Sequence, residues 1–199
     1  MTGAPRTRRL ALPSLPGQLP VLTLAPTELV RVSRYDSGEP HFGRTGGNRF
    51  DDPGKGYGTC YFGRSLALAL AETLLHDAVA VRGQFAVHPQ TIAARFVLGF
   101  DGSPLRLADL TGANLKRLGG HAGLSGTASY RLPQKWSQAI HRHPDQVDGL
   151  VYMSRHLNTE QAVVLFDRAA SRIRMVEAIA LPSCPGFAQA ARMLGIMSA

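Results

Sequence analysis

A long glycine-rich segment, Gly46–Gly63, leads directly into an aliphatic stretch, and this succession restricts the possible folds more than any other part of the chain. The segment reads GGNRFDDPGKGYGTCYFG and holds six glycines. Its end, GTCYFG, predicts a β-strand that places Tyr61 on the face opposite its two neighbours. Ser65 is a suitable N-cap for a helix from Leu66 to about His76. The predicted order is therefore loop, strand, helix.

The glycines do not form either of the standard phosphate-binding motifs. In the P-loop pattern, Gly54 and Lys55 would supply the G-K pair, but Gly56 stands where Ser or Thr is required. Arg49 stands where the first glycine of that pattern is required. The dinucleotide pattern G-x-G-x-x-G also fails. Its last position is Thr59 when the pattern begins at Gly54, and Tyr61 when it begins at Gly56. A nucleotide-triphosphate cradle is therefore not predicted here.

The remaining periodic segments predict an α+β fold with a mixed or antiparallel sheet core and flanking helices. Strands are predicted in ELVRVS, GQFAVH, ARFVLGF, DGLVYMS, QAVVLFD and RIRMVEAIAL, and helices in LADLTGANLKRLG, QKWSQAIHRH and GFAQAARMLGIMS. GGHAGLSGTASYRLP is predicted to be a loop. Strands and helices do not alternate regularly, which argues against a doubly wound parallel sheet.

The chain of 199 residues is expected to form one domain, residues 27–199, preceded by a proline-rich arm over residues 1–26. Five prolines in the arm argue against the continuous helix of a signal peptide. No run of about 18 apolar residues occurs, so no membrane span is expected. Cys60 and Cys184 are too few for a disulfide framework and fit a reducing cytoplasm. The C-terminal run GFAQAARMLGIM is expected to pack internally rather than in a homo-oligomer.

The net charge of +8 favours anionic partners such as a phosphorylated substrate, a nucleic acid or an acidic protein. The basic residues are spread along the chain, and RTRR (residues 6–9) is the one cluster in the sequence. A non-catalytic nucleic-acid-binding module therefore stays open as an alternative. Against it, the strands lack the interleaved basic and aromatic residues of RNA-binding sheets, and no helix-turn-helix pattern is found.

The sequence contains no standard motif for a metal centre or a serine hydrolase. Its seven histidines do not form an H-E-x-x-H pattern, and no cysteines lie near them, so no bound metal is expected. The G-x-S-x-G motif is absent as well.

Five polar residues stand on otherwise apolar or glycine-rich elements: Arg31, Arg49, Tyr61, Glu72 and Ser154. A charge in apolar surroundings is costly unless it is paired or hydrogen-bonded. Each residue alone fits an ordinary structural role, and their combination is what indicates a site.

In these five residues the chain resembles the RES-domain family, which is named for its Arg, Glu and Ser. The matching pieces are LVRVSR, GGNRFDDPGKGYGTCYFGRSLALALAE and DGLVYMSRHLNTEQAVVLF, and the resemblance spans roughly residues 29–166. Asn48 precedes Arg49 where many members have Gly. The resemblance implies a fold similar to ADP-ribosyltransferases and consumption of NAD+ by hydrolysis or phosphorolysis of the nicotinamide–ribose bond. It also implies a toxin that an Xre-like antitoxin holds inactive.

The implied chemistry suits these residue types. Arg31 and Arg49 can bind the NAD+ diphosphate, and a carboxylate such as Glu72 can stabilise positive charge on the ribose. Tyr61 can stack on the nicotinamide ring. Ser154 could bond the nicotinamide amide, a ribose hydroxyl or an incoming phosphate, and a nucleophilic role for it is not expected.

NAD+ is thus expected as a substrate rather than a bound cofactor, with phosphate as a possible co-substrate that Arg34 or Arg155 could bind. An ADP-ribosyltransferase that modifies a macromolecule would share the fold and much of the site. It remains the nearest alternative, because acceptor choice would depend on loops such as residues 119–133.

Overall fold

The computed structural model describes residues 13–198, which form ten strands and six α-helices. The strands are β1 (Val21–Leu24), β2 (Val30–Ser33), β3 (Thr59–Gly63), β4 (Phe85–Val87), β5 (Phe96–Gly102), β6 (Leu105–Leu110), β7 (Gly149–Met153), β8 (Gln161–Phe166), β9 (Ile173–Ala180) and β10 (Ile196–Ser198). The helices are α1 (Leu66–Leu74), α2 (Pro89–Ala93), α3 (Gly112–Arg117), α4 (Gly123–Gly126), α5 (Arg131–His141) and α6 (Phe187–Leu194).

Eight of the strands form one sheet in the order β1-β6-β7-β8-β3-β2-β5-β9. Its neighbouring strands are antiparallel except for the parallel pair β6 and β7. A separate parallel pair joins β4 to β10. The large mixed sheet with flanking helices confirms the predicted α+β class.

Alternating side chains divide the core between the two faces of the sheet. On β8, Val163 belongs to one apolar cluster and Val164 to the other, as a period of two residues requires. Trp136 and Ile140 of α5 cover the cluster that contains Val164. Both faces of the central strands are thus buried, which explains why β7 and β8 are nearly continuous apolar runs.

Helix α1 begins as the sequence predicts. The Ser65 hydroxyl accepts a hydrogen bond from the Leu68 amide, which satisfies one of the free donors of the first turn. Buried Ala67, Ala69 and Leu70 pack the helix against β2 and against α6, where Ala190 and Ala191 are buried. The C-terminal helix therefore packs internally, as expected.

Several predictions about local structure are wrong. The predicted loop at residues 119–133 contains α4 and the start of α5, and β10 occupies the end of the predicted C-terminal helix. The arm was predicted to extend to residue 26, but β1 pairs with β6 and Leu24 is 2% exposed. Proline is tolerated there because β1 lies at the edge of the sheet, where Pro20 needs no ladder donor and its carbonyl accepts from the Asp109 amide. The segment LADL was predicted to be helical, but it ends β6, whose buried Leu105 and Leu107 follow the period of a strand.

Residues 1–12, including the RTRR cluster, lie outside the described residues, so the remainder of the predicted arm stays a prediction. Within residues 13–198, no helix has both the length and the apolar composition needed to cross a membrane.

Candidate functional site

The candidate site lies where β2 and β3 separate. These strands pair at Val30 and Gly63, whereas β3 and β8 pair along five residues. Beyond this junction, Arg31 reaches across the gap and its Nη1 donates to the Tyr61 carbonyl at 2.9 Å. Its Nε lies 3.3 Å from Oε2 of Glu39. Arg31 thus bridges two diverging strands and keeps its guanidinium at the bottom of the gap.

A cavity of about 420 Å³ opens at this gap, within the size range of small-molecule sites. Four of the five predicted residues line it: Arg31, Arg49, Tyr61 and Glu72. The predicted site residues therefore converge, although they come from β2, the glycine-rich loop, β3 and α1. The fifth residue, Ser154, lies directly behind the carboxylate of Glu72.

Ser154 holds Glu72 in place. The Ser154 hydroxyl donates to Glu72 Oε1 at 2.6 Å. The hydroxyl oxygen of Ser154 also accepts from the amides of His156 and Leu157 at 3.0 and 3.1 Å. One donor and two acceptor positions are the full capacity of a hydroxyl. Ser154 is 1% exposed, so its geometry suits orientation of the carboxylate rather than direct contact with a ligand.

Arg49 lines the cavity, and one of its guanidinium nitrogens is buried. Its Nη1 donates to the Thr127 carbonyl at 2.9 Å, and its guanidinium carbon lies 4.8 Å from the centre of the Tyr130 ring. Among residues 13–198, Nη2 has no hydrogen-bond partner. Burial and the nearby Arg155 lower the pKa of Arg49, but the group remains a cation at neutral pH. A buried unpaired donor of this kind favours binding of an anion.

Asp51 fixes the glycine-rich loop and the Tyr61 ring together. Its Oδ1 accepts from the hydroxyls of Thr59 at 2.6 Å and Tyr61 at 2.9 Å, and its Oδ2 accepts from Thr45 and Asn48. The Tyr61 hydroxyl in turn accepts from a loop amide, and burial together with Asp51 raises the pKa of Tyr61. Tyr61 therefore offers the cavity the surface of its ring, while its hydroxyl supports the loop.

Asp52 holds the next turn of the loop. It accepts from the amides of Gly54 and Gly56 and from the Gln138 side chain of α5. Burial would raise the pKa of Asp52, but these hydrogen bonds outweigh it and lower the pKa. A Cβ on Gly56 would lie 3.0 Å from Asp52 Oδ2, so glycine lets the backbone approach this carboxylate closely. The loop is therefore an ordered wall of the cavity.

Two histidines face Glu72 across the mouth of the cavity. One ligand-type atom from each of Glu72, His76 and His156 lies within 4.8 Å of the other two. Burial lowers the pKa of His156, which the nearby Glu72 carboxylate partly opposes. Arg155 Nε donates to Nε2 of His156 at 3.1 Å, so this nitrogen carries a lone pair.

The cavity adjoins two further hollows in the same surface. One, of about 570 Å³, shares Arg31 with it and is also lined by Arg34 and Arg95. The other, of about 1030 Å³, shares His76, Arg155 and His156. Together these hollows provide room for an elongated ligand that extends beyond the central cavity.

Several residues of the site were not predicted. Tyr130 and Tyr152 come from segments distant in sequence from Arg49 and Phe50, which they approach, and no local pattern distinguishes them. Glu39 lies in the loop that follows β2, close in sequence to its partner Arg31. The adjacent acids Asp51 and Asp52 could have been identified, since acids that flank a turn of glycines commonly accept its amides.

The fold and the site together define an α+β protein with a basic, aromatic-walled cavity built around one hydrogen-bonded carboxylate. The chain matches the RES domain over residues 28–183, and it belongs to the RES domain family. It is 38% identical over 72 residues to the protein "Probable toxin y4kH" of Sinorhizobium fredii (strain NBRC 101917 / NGR234). That match covers 36% of this chain and 56% of the relative, so the chain spans about half the length of the relative it matches.

Among solved structures, the fold is similar to a chain in the crystal structure of the M. tuberculosis MbcT-MbcA toxin-antitoxin complex. The TM-score is 0.55 at 14% sequence identity, and the match covers 79% of this chain and 85% of that chain. The similarity extends to the overall fold, which is ADP-ribosyltransferase-like, as the resemblance implied.

Proposed function

We propose that the chain is an NAD+-degrading enzyme that cleaves the nicotinamide–ribose bond by hydrolysis or phosphorolysis. The observation that carries the proposal is the Glu72 carboxylate, which Ser154 orients at 2.6 Å in a cavity lined by Arg31 and Arg49. A fixed carboxylate between cationic groups suits a substrate that carries a cationic leaving group and a diphosphate.

The arginines would bind the diphosphate of NAD+. Arg49 Nη2 is buried and unpaired within the described residues, and Arg31 lies between the central cavity and the hollow lined by Arg34 and Arg95. Planar guanidinium groups form paired hydrogen bonds with phosphate oxygens. The diphosphate would therefore lie along the arginines, with the nicotinamide end directed towards Glu72.

Glu72 would stabilise the transition state. As the bond between the ribose C1′ and the ring nitrogen breaks, its electron pair leaves with neutral nicotinamide and positive charge develops on the ribose. The nearby carboxylate stabilises that charge and can accept hydrogen bonds from ribose hydroxyls. Water or phosphate then adds to C1′, and for water the released proton passes to Glu72 or to solvent. Ser154 acts through Glu72, as a positioning residue.

The aromatic wall would orient the nicotinamide. Tyr61, Tyr130 and Tyr152 line the cavity, and the hydroxyl of Tyr61 is already bonded within the loop. A planar ring packs well against such a surface. Arg155 lines the same cavity and is the residue we assign to an incoming phosphate.

We further propose that the chain acts as the toxin of a toxin–antitoxin pair. A solved structure with a similar fold is a toxin-antitoxin complex, and a curated relative is described as a probable toxin. Loss of NAD+ would arrest growth, and an Xre-like antitoxin would prevent it. Expression of the wild type should stop growth, and Glu72→Ala or Arg31→Ala should relieve the arrest. Growth of cells expressing the wild type at normal rate would refute the toxin role and leave the enzymatic proposal to its own test.

The enzymatic proposal is tested by incubating the folded, antitoxin-free protein with NAD+, with and without phosphate, and separating the products. Nicotinamide with ADP-ribose indicates hydrolysis, and nicotinamide with phosphorylated ADP-ribose indicates phosphorolysis. ADP-ribose attached to a macromolecule would support the transferase alternative. Intact NAD+ under all conditions would overturn the proposal.

A further inference from the structure

We propose that Glu72, His76 and His156 form a binding site for a divalent transition metal such as Zn²⁺ at the mouth of the central cavity. The three side chains already face one another, with a ligand-type atom from each within 4.8 Å of the other two. Two imidazoles and one carboxylate are a donor set that suits Zn²⁺ and leaves a coordination position open.

The donor atoms of the three side chains lie slightly too far apart to bind one ion, so the side chains must move closer together. Zinc binds nitrogen at about 2.0–2.1 Å, so tetrahedral donors lie roughly 3.3 Å apart. Oε2 of Glu72 and Nε2 of His156 are 4.0 Å apart, and the two imidazole centres are 5.0 Å apart. His76 lies beyond the last residue of α1 with its side chain 40% exposed, and its Nε2 is 3.4 Å from the Tyr130 hydroxyl and 3.9 Å from Asp77 Oδ1. The ring would give up these two long contacts to move towards the other ligands.

Hydrogen bonds from neighbouring residues orient Glu72 and His156, two of the three proposed ligands. Ser154 donates to Oε1 of Glu72, which leaves Oε2 on the side facing His156. A hydrogen bond of this kind to a ligating carboxylate is typical of the second coordination sphere. Nε2 of His156 carries a lone pair, which accepts from Arg155 Nε, and the exposed Arg155 can turn to solvent when a metal takes its place.

Neighbouring charges set the expected strength of the site. Glu72 is the single anionic ligand, and the exposed Asp77 carboxylate lies 3.9 Å from His76. The cations Arg49 and Arg155 oppose a doubly charged ion nearby. We therefore expect binding at micromolar concentrations of metal rather than the far tighter binding of structural zinc sites. Chloride or water would complete the coordination.

Occupation of this site would have a regulatory consequence that rests on the proposed function. A metal bound to Glu72 withdraws the carboxylate that would stabilise the ribose, so Zn²⁺ should inhibit NAD+ cleavage. The Glu72–His76–His156 cluster would then be an inhibitory site.

The test measures metal binding without NAD+. Untagged, chelator-treated protein is titrated with Zn²⁺ in competition with a chromophoric chelator, and with Co²⁺ to record its visible absorption. We expect one ion per chain, and binding weaker by about tenfold or more in His76→Ala, His156→Ala and Glu72→Gln. His88→Asn serves as the matched control, because it removes an exposed imidazole elsewhere and keeps an acceptor for the Gln90 amide.

Wild-type binding retained in the three cluster variants, or no binding at micromolar metal, would overturn the proposal. Circular dichroism confirms that each variant is folded. NAD+ cleavage is measured separately in excess chelator, so failure of the proposed enzymatic function would be seen independently of metal binding.

Discussion

A double-mutant cycle between Glu72 and Ser154 separates a positioning role for the serine from a direct one. Glu72→Gln removes the charge and preserves the shape of the side chain, whereas Ser154→Ala removes the hydroxyl that donates to it at 2.6 Å. If Ser154 acts through Glu72, its loss should matter while the carboxylate is present and should matter little once the charge is gone.

The magnitudes follow from the contacts. A hydrogen bond to a charged group is worth about 1.5–3 kcal/mol, so Ser154→Ala should lower kcat by about 10- to 100-fold with a small change in KM. Loss of the carboxylate itself should lower kcat by about 10²- to 10³-fold, as for other groups that stabilise transition-state charge. The double variant should be about as slow as Glu72→Gln alone.

The assay is the initial rate of nicotinamide release from NAD+ for the four proteins. Ser154 also accepts from the amides of His156 and Leu157, so folding stability should fall by about 1–2 kcal/mol in both serine variants. Urea unfolding measures that loss independently of the rate. Additive effects on kcat would refute the reasoning, because they would mean that Ser154 contacts the substrate or phosphate itself.

Three further predictions address the remainder of the site and its scaffold. Arg49→Lys should raise KM for NAD+ by about tenfold, because a lysine cannot both bond the Thr127 carbonyl and reach an anion; steady-state kinetics with an unchanged KM would contradict this. Tyr61→Phe should lower the free energy of unfolding in urea by about 1–2 kcal/mol through loss of the hydroxyl's hydrogen bonds to Asp51 and the loop. An unfolding free energy equal to that of the wild type would show that the hydroxyl does not stabilise the loop. Burial lowers the pKa of His141 to about 4, so folded wild type should lose stability as pH falls from 6.5 towards 4, since the unfolded chain takes up the proton first. The free energy of unfolding should fall by about 1 kcal/mol over this range after allowance for the partial exposure of His141. His141→Phe should lose less of its free energy of unfolding between pH 7 and pH 5 than the wild type, and an equal pH dependence in the two proteins would show that another group titrates.

Much of the site could be predicted because charge in an apolar element is costly. Glu72 lies on a helix in which the five residues before it are all buried, and Arg31 lies between two valines of a strand. Each such residue alone also fits an ordinary structural role, so the sequence indicates the site through their combination and through the family resemblance. The partner itself was not predictable, since Ser154 lies 82 residues from Glu72 and only the sheet brings them together.

The wrong predictions about local structure also arise from contacts that only the folded sheet provides. The five prolines of residues 1–26 led to the prediction of an arm, but proline is tolerated at the outer edge of a sheet, where β1 lies. The pattern of LADLTGANLKRL fits a helix as well as a strand followed by a helix, and pairing with β1 and β7 decides between them. The histidine cluster was missed for a related reason, because metal-ligand motifs recognise spacing within one segment, whereas His76 and His156 come from two.

The proposed reaction requires that this cavity bind NAD+ with its nicotinamide ribose at Glu72, and a crystal structure of the Glu72→Gln variant with NAD+ would show that arrangement. We expect the dinucleotide in the central cavity, with C1′ of the nicotinamide ribose facing residue 72 and diphosphate oxygens bonded to Arg31 or Arg49. NAD+ bound elsewhere on the surface, or a cavity that stays empty at saturating NAD+, would contradict the account.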